Sequence, residues 1–244
     1  MTTKLTHIIL LSATHFRYYK KRKHSLSGVA FLSMHSEKEG EELMMYHKHY
    51  LDKKSVPYIS DLLIKHYMKH PVYTDIVFVC IGTNRYSGDS LGPLVGSRLT
   101  ERLDGHQRIH IYGTLERPAH ALNMQKVLAH IALKHSQAYV VAVDACLGQF
   151  YKIGTLQLVE GPLEPGVSLN KKLPPIGHIH LKGIINNYGP LNHKVLEQTS
   201  LTFVQEMSAV ISRILVKASQ DILPRLVSRQ LPNAPASDHL SAGS

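Results

Sequence analysis

Cysteine is scarce, with two in 244 residues, Cys80 and Cys146, both in apolar runs. That excludes a disulfide scaffold, and each thiol reads as a buried small hydrophobe rather than half of a redox or metal pair. So few cysteines fit a reducing compartment. Long hydrophobic runs are missing too, none approaching the ~18 residues of a membrane span. The apolar stretch Ile8 to Leu11 precedes its basic cluster, the reverse of a secretion signal. The expectation is a soluble, cytoplasmic protein without membrane contact.

Acidic residues are absent from positions 1–33, which hold Lys4, Arg17, Lys20, Lys21, Arg22 and Lys23. The whole chain has a formal charge of +10, and at face value this invites a nucleic-acid partner. The other 22 basic and 18 acidic residues leave only +4 for the remainder, so the invitation comes mostly from one segment. Nucleic-acid binding through residues 17–24 would show a steep salt dependence, and a solvated basic tail is the simpler reading. Met34 is a second candidate start of translation. Residues 1–54 read as an N-terminal extension, disordered over 1–33. Residues 229–244, rich in Pro, Ala and Ser without apolar period, read as a disordered tail.

Between them, residues 55–228 hold the apolar periodicity of one folded domain, with a helix-like stretch at Tyr58 to Tyr67. Asp75 to Ile81 is a continuous β-branched and apolar run, as in a strand buried on both faces. A helix is expected over Leu91–Leu103, a strand over Arg108–Tyr112, a helix over Ala119–Lys134 and a strand over Tyr139–Val143 that stops at Asp144. Further strands are expected at Gly154–Val159 and His178–Ile184, joined by a Pro/Gly-rich loop. One long helix closes the domain, with Leu191, Val195, Phe203, Met207, Val210, Ile211 and Ile214 on one face. The βαβαβ order predicts an α/β fold with a mainly parallel sheet.

The Gly-rich loop Gly82 to Pro93 follows the first of these strands. It is not a Walker loop: five residues separate Gly82 from Gly88, and Asp89 stands where the lysine belongs. The dinucleotide pattern Gly-x-Gly-x-x-Gly is also absent. Asp89 precedes a helix, so a cap or first-turn acid is its simplest role. Asp144 gives it a rival role, because residues at the ends of neighbouring parallel strands converge on one crevice. Two carboxylates there either share a proton, as general acid and base, or hold a divalent cation completed by a histidine. His120, His178 and His180 are the topological candidates for that histidine. Asn84 and Arg85 would line the crevice, and Glu116 is a third candidate acid there.

The segments Ile81 to Gly96, Gly113 to Ala121, Val143 to Gly148, Pro162 to Gly166 and Leu173 to Gly177 together resemble the spore protease YyaC family of sporulation proteins. That family is similar to the germination protease of endospores and, more distantly, to hydrogenase maturation proteases, so the resemblance implies a three-layer αβα sandwich. Asp89 in Asp-Ser-Leu-Gly-Pro and Asp144 in Val-Asp-Ala match the positions of the germination protease's functional aspartates. In the maturation proteases an acidic nickel ligand and an aspartate occupy those positions, so acid pair and metal both stay open. The Trp-containing loop of the germination protease has no counterpart, since this chain has no tryptophan. The resemblance implies a peptidase of sporulation or germination in the forespore or spore. Its catalytic residues would be Asp89 and Asp144, its substrate-binding residues Asn84 and Arg85, and its substrates small acid-soluble spore proteins. The alternative is a non-catalytic module that binds a peptide or spore component on the same fold.

Overall fold

The structure is a computed structural model that describes residues 44–69, 72–164, 174–189 and 191–228. The two segments read as disordered, 1–33 and 229–244, lie outside the described residues. The chain divides into Met1–Glu42 and Leu43–Ser244, and every described residue belongs to the second unit.

Six strands form one sheet in the order β1-β5-β6-β4-β2-β3. They are β1 (Met45–His49), β2 (Asp75–Cys80), β3 (Ile109–Tyr112), β4 (Ala138–Gly148), β5 (Thr155–Glu160) and β6 (Ile179–Asn187). β2 pairs in parallel with β3 and β4, and β4 in parallel with β6. β5 is antiparallel to both of its neighbours, β6 and β1, so it alone runs against the rest. The helices are α1 (Ser55–Lys69), α2 (Leu91–Leu103), α3 (Met124–Lys134), α4 (Asn192–Glu197) and α5 (Leu201–Ser228).

Alternation along the strands fills both sides of the sheet. Ile76, Phe78 and Cys80 of β2 face one core with Leu63 and Tyr67 of α1, Val95 and Leu99 of α2, and Met207 and Ile211 of α5. Val77, Val79 and Ile81 face a smaller core with Met124 and Ile131 of α3, closed by Leu163 and Ile176. The result is the expected three-layer sandwich. Two-sided burial explains why β2 reads as an unbroken apolar run, each large side chain contributing ~1.5–3 kcal/mol.

Four boundaries differ from the sequence reading. A strand precedes residue 55: β1 lies inside the stretch read as an extension and pairs with β5. Its sequence MYHKH is polar and faces solvent on alternate residues, as an edge strand does, so no apolar run marks it. β4 does not stop at Asp144 but continues to Gly148, because β6 pairs with it over that whole length. α3 begins at Met124, not Ala119. Ala119 instead bridges Ile81, and the Asn123 side chain accepts from the His120 amide and donates to the Pro118 carbonyl, both at 2.8 Å. The closing helix is two helices. The buried Thr199 hydroxyl donates to the Val195 carbonyl at 2.7 Å and accepts from Asn186 Nδ2 at 3.1 Å, ending α4 and tying it to β6. Leu191 consequently lies off the long helix, 49% exposed.

Candidate active site

The crevice lies where β2 ends and β4 does not. After Ile81 the chain turns at Gly82, whose φ of +141° suits glycine, and a Cβ there would sit 2.0 Å from the Asp89 carbonyl oxygen. The loop returns through a short 3-10 turn, Gly88–Ser90, directly into α2. Asp89 does not cap α2: the N-cap residue is Ser90, which makes no side-chain cap. The Asp89 carboxylate reaches back across the loop instead, and Oδ2 accepts from the Thr83 amide at 2.8 Å. Burial pushes the Asp89 pKa above the ordinary carboxylate value, with the Thr83 bonds and the nearby His120 opposing it.

Asp144 is the first β4 residue beyond the pairing with β2, which ends at Cys80↔Val143. Val141 and Val143 face the α2/α5 core, so alternation turns Asp144 to the α3 side. Its Oδ1 accepts from the Ala145 amide at 2.8 Å. Burial first, and repulsion by Asp89 second, push the Asp144 carboxyl up to about 8; the Ala145 bond and Lys182 oppose this. The sheet and the returning loop thus bring Asp89 close enough for its charge to act on Asp144.

The other candidates divide. Asn84 and Arg85 are exposed on the loop between Gly82 and Asp89, and Asn84 Nδ2 donates to the Leu115 carbonyl at 3.3 Å. Glu116 is exposed on the loop after β3. His120 is near enough to Asp89 to act on its charge. The structure places His178 away from the pair, whereas His180 stands opposite Ala142, two residues before Lys182 on β6. His178 Nδ1 accepts from the Val140 amide at 2.9 Å, four β4 residues before Asp144, about 13 Å along a strand. His180 is buried, and its Nδ1 donates to the Gly161 carbonyl at 2.9 Å, which ties the ring to the turn after β5. Burial pushes its pKa down to about 4, leaving the ring neutral near pH 7.

Lys182 was missed by the sequence reading. It pairs in register with Asp144 on β6 and stands near both Asp144 and Cys146, whose thiol burial pushes up to about 12. The signal was a lysine in the segment Ile179–Ile185, where His180 is the other polar side chain. For a divalent metal the fit is poor. Asp144 feels the charges of both Asp89 and the Lys182 ammonium group, and no cluster of three His, Cys, Asp or Glu side chains among the described residues could hold an ion.

Residues 47–214 match the family model described as Protein of unknown function (DUF1256). The chain belongs to this family. The DUF1256 match runs from β1 into α5 and contains both aspartates, Lys182 and the loop between β2 and α2. The chain is 45% identical over 137 residues to the "Uncharacterized protein YyaC" of Bacillus subtilis (strain 168), an alignment covering 56% of this chain and 66% of that relative, slightly under two thirds of its length. Among solved structures, the NiFe hydrogenase maturation protease HycI from Thermococcus kodakarensis KOD1 is similar with a TM-score of 0.44 and 17% identity, over 65% of this chain and 99% of that one.

Proposed function

We propose that the protein is a peptidase that hydrolyses peptide bonds with the Asp89–Asp144 pair. The observation that carries this reading is the pair itself, two carboxylates whose burial raises both pKa values, with repulsion by Asp89 helping to push Asp144 up to about 8. Near neutral pH such a pair holds one proton between two sites, the condition for one acid and one base. The ionised member, Asp89, takes a proton from a water whose oxygen attacks the peptide carbonyl. The protonated member, Asp144, donates to the carbonyl oxygen as negative charge develops there. Collapse of the tetrahedral adduct breaks the C–N bond: the departing amine takes the proton that Asp89 took from water, and Asp144 takes back its proton as the carbonyl re-forms.

Exposed aromatic side chains support a polypeptide substrate. Phe150 and Tyr151 follow β4 and Tyr188 follows β6, at the same end of the sheet as the pair, with Phe150 79% exposed. The motif resemblance adds the biological setting: small acid-soluble spore proteins as substrates, in the forespore or spore.

The test is incubation with a preparation of those spore proteins, with and without added divalent metals, read by mass spectrometry. The expected result is cleavage by the parent that declines above about pH 8. Asp89→Asn and Asp144→Asn should each lower it at least ~100-fold while keeping their fold. Binding of the spore proteins without cleavage, under every metal condition, would replace the peptidase with a binding module.

A further inference from the structure

One stretch of strand at the crevice has no strand beside it among the described residues. β4 pairs with β2 only as far as Val143, yet with β6 as far as Gly148↔Asn187. The Ile81 amide donates to the Val143 carbonyl at 2.7 Å, and the Tyr188 amide to the Gly148 carbonyl at 2.9 Å. Odd-numbered residues of β4 therefore turn their backbone groups toward the β2 side and even-numbered ones toward β6. Period two leaves the amides and carbonyls of Ala145 and Leu147 on the side where β2 has ended. Among the described residues, one of these four groups has a partner, the Ala145 amide, which donates to Asp144 Oδ1. The Ala145 and Leu147 side chains pack, half-buried, on the α2/α5 core, which holds this edge in the plane of the sheet.

We propose that the open edge of β4 binds substrate as an added strand, an extended polypeptide lying along Ala145–Gly148 in line with β2. This inference rests on the peptidase reading and states how such an enzyme holds its chain. Backbone donors and acceptors repeating at strand pitch are matched by another extended backbone, which identifies the occupant as polypeptide. The edge starts at Asp144, so a strand laid on it passes beside the carboxylate pair. It spans four residues, about 13 Å, and is blunted by the Asp144 carboxyl on its first amide, as short protected edges are. The bound segment must be locally unfolded and offer an amide to the Ala145 or Leu147 carbonyl, which a proline there cannot.

The probe is the same spore-protein preparation, added to full-length Asp89→Asn protein so that binding is seen without turnover. The expected result is at least tenfold slower hydrogen exchange at the Leu147 amide, with Leu181 on β6 unchanged. Leu147→Pro removes an amide that β6 does not use together with the half-buried leucine side chain, so it should fold with a somewhat lower melting temperature and bind the probe roughly tenfold more weakly. If Leu147→Pro does not fold, the exchange measurement decides alone. Unchanged exchange at Leu147 under saturating probe, protection already present before the probe is added, equal binding by a folded Leu147→Pro, or no binding at all overturns the proposal. Cleavage by the parent without Leu147 protection removes strand addition and leaves the peptidase standing. Protection without any cleavage does the reverse.

Discussion

Asp144 holds its proton to an unusually high pH, and this links the site to stability. In the unfolded chain the group has an ordinary aspartate pKa near ~3.9. In the folded protein it titrates at about 8. The folded state therefore retains a proton that the unfolded state releases between those two values, so stability is full below about pH 4 and falls as pH rises to about 8. Asp144→Asn keeps an acceptor for the Ala145 amide and removes the charge. Its stability relative to the parent should be near zero at pH 4 and grow to about 5 kcal/mol in its favour at pH 9, in urea titrations across that range. Parallel stability curves for the two proteins would mean that the carboxyl ionises without cost in its present surroundings. Both aspartates were legible in the sequence because each interrupts an apolar or glycine-rich pattern at the expected end of a strand. Lys182 was not, since a single lysine in a strand ordinarily snorkels to solvent, and its register opposite Asp144 exists only once β4 and β6 pair.

The joint between β2 and α2 fixes where Asp89 stands. Gly96 of α2 packs against the loop after β3 so closely that a Cβ would lie 2.0 Å from the Gly113 carbonyl oxygen, and at Gly92 a Cβ would lie equally close to the Ile81 carbonyl oxygen. Backbone, not a flexible side chain, is the obstacle in both places. Gly96→Ala should therefore cost about 3 kcal/mol or more, despite the better helix propensity of alanine, because the helix must move away from the sheet. A urea midpoint equal to the parent's would show that the joint yields. Helix α2 was readable to the residue, its apolar stripe and early Pro93 marking it. The end of β4 was not, because its last five residues owe their strand conformation to β6, a partner 34 or more positions away.

The molecule as a whole is a sheet with one reversed strand, and its outermost strand on that side is β1. A chain beginning at residue 43 should melt at least ~5 °C above one beginning at residue 55, because the shorter chain strips the partner from β5 and the Tyr50 hydroxyl that donates to Glu206 of α5 at 3.1 Å. Equal melting by circular dichroism would make β1 an ornament. No helix among the described residues is long and apolar enough to cross a membrane. The +10 charge that invited a nucleic-acid reading comes mostly from positions 1–33, whereas the described body is organised around two acids.

Local pattern was enough to establish the layered α/β class, the central strands, helix α2 and the two candidate carboxylates. Apolar period and glycine placement act through near neighbours in the chain, so they can be read one residue after another. The polar edge strand β1, the added length of β4, the break between α4 and α5, the tying of His180 to the turn after β5 and the arrival of Lys182 opposite Asp144 all depended on pairing between distant segments. Register across a sheet decides which side chains share a face and which backbone groups are left open. Those are relations between strands that neither strand carries alone.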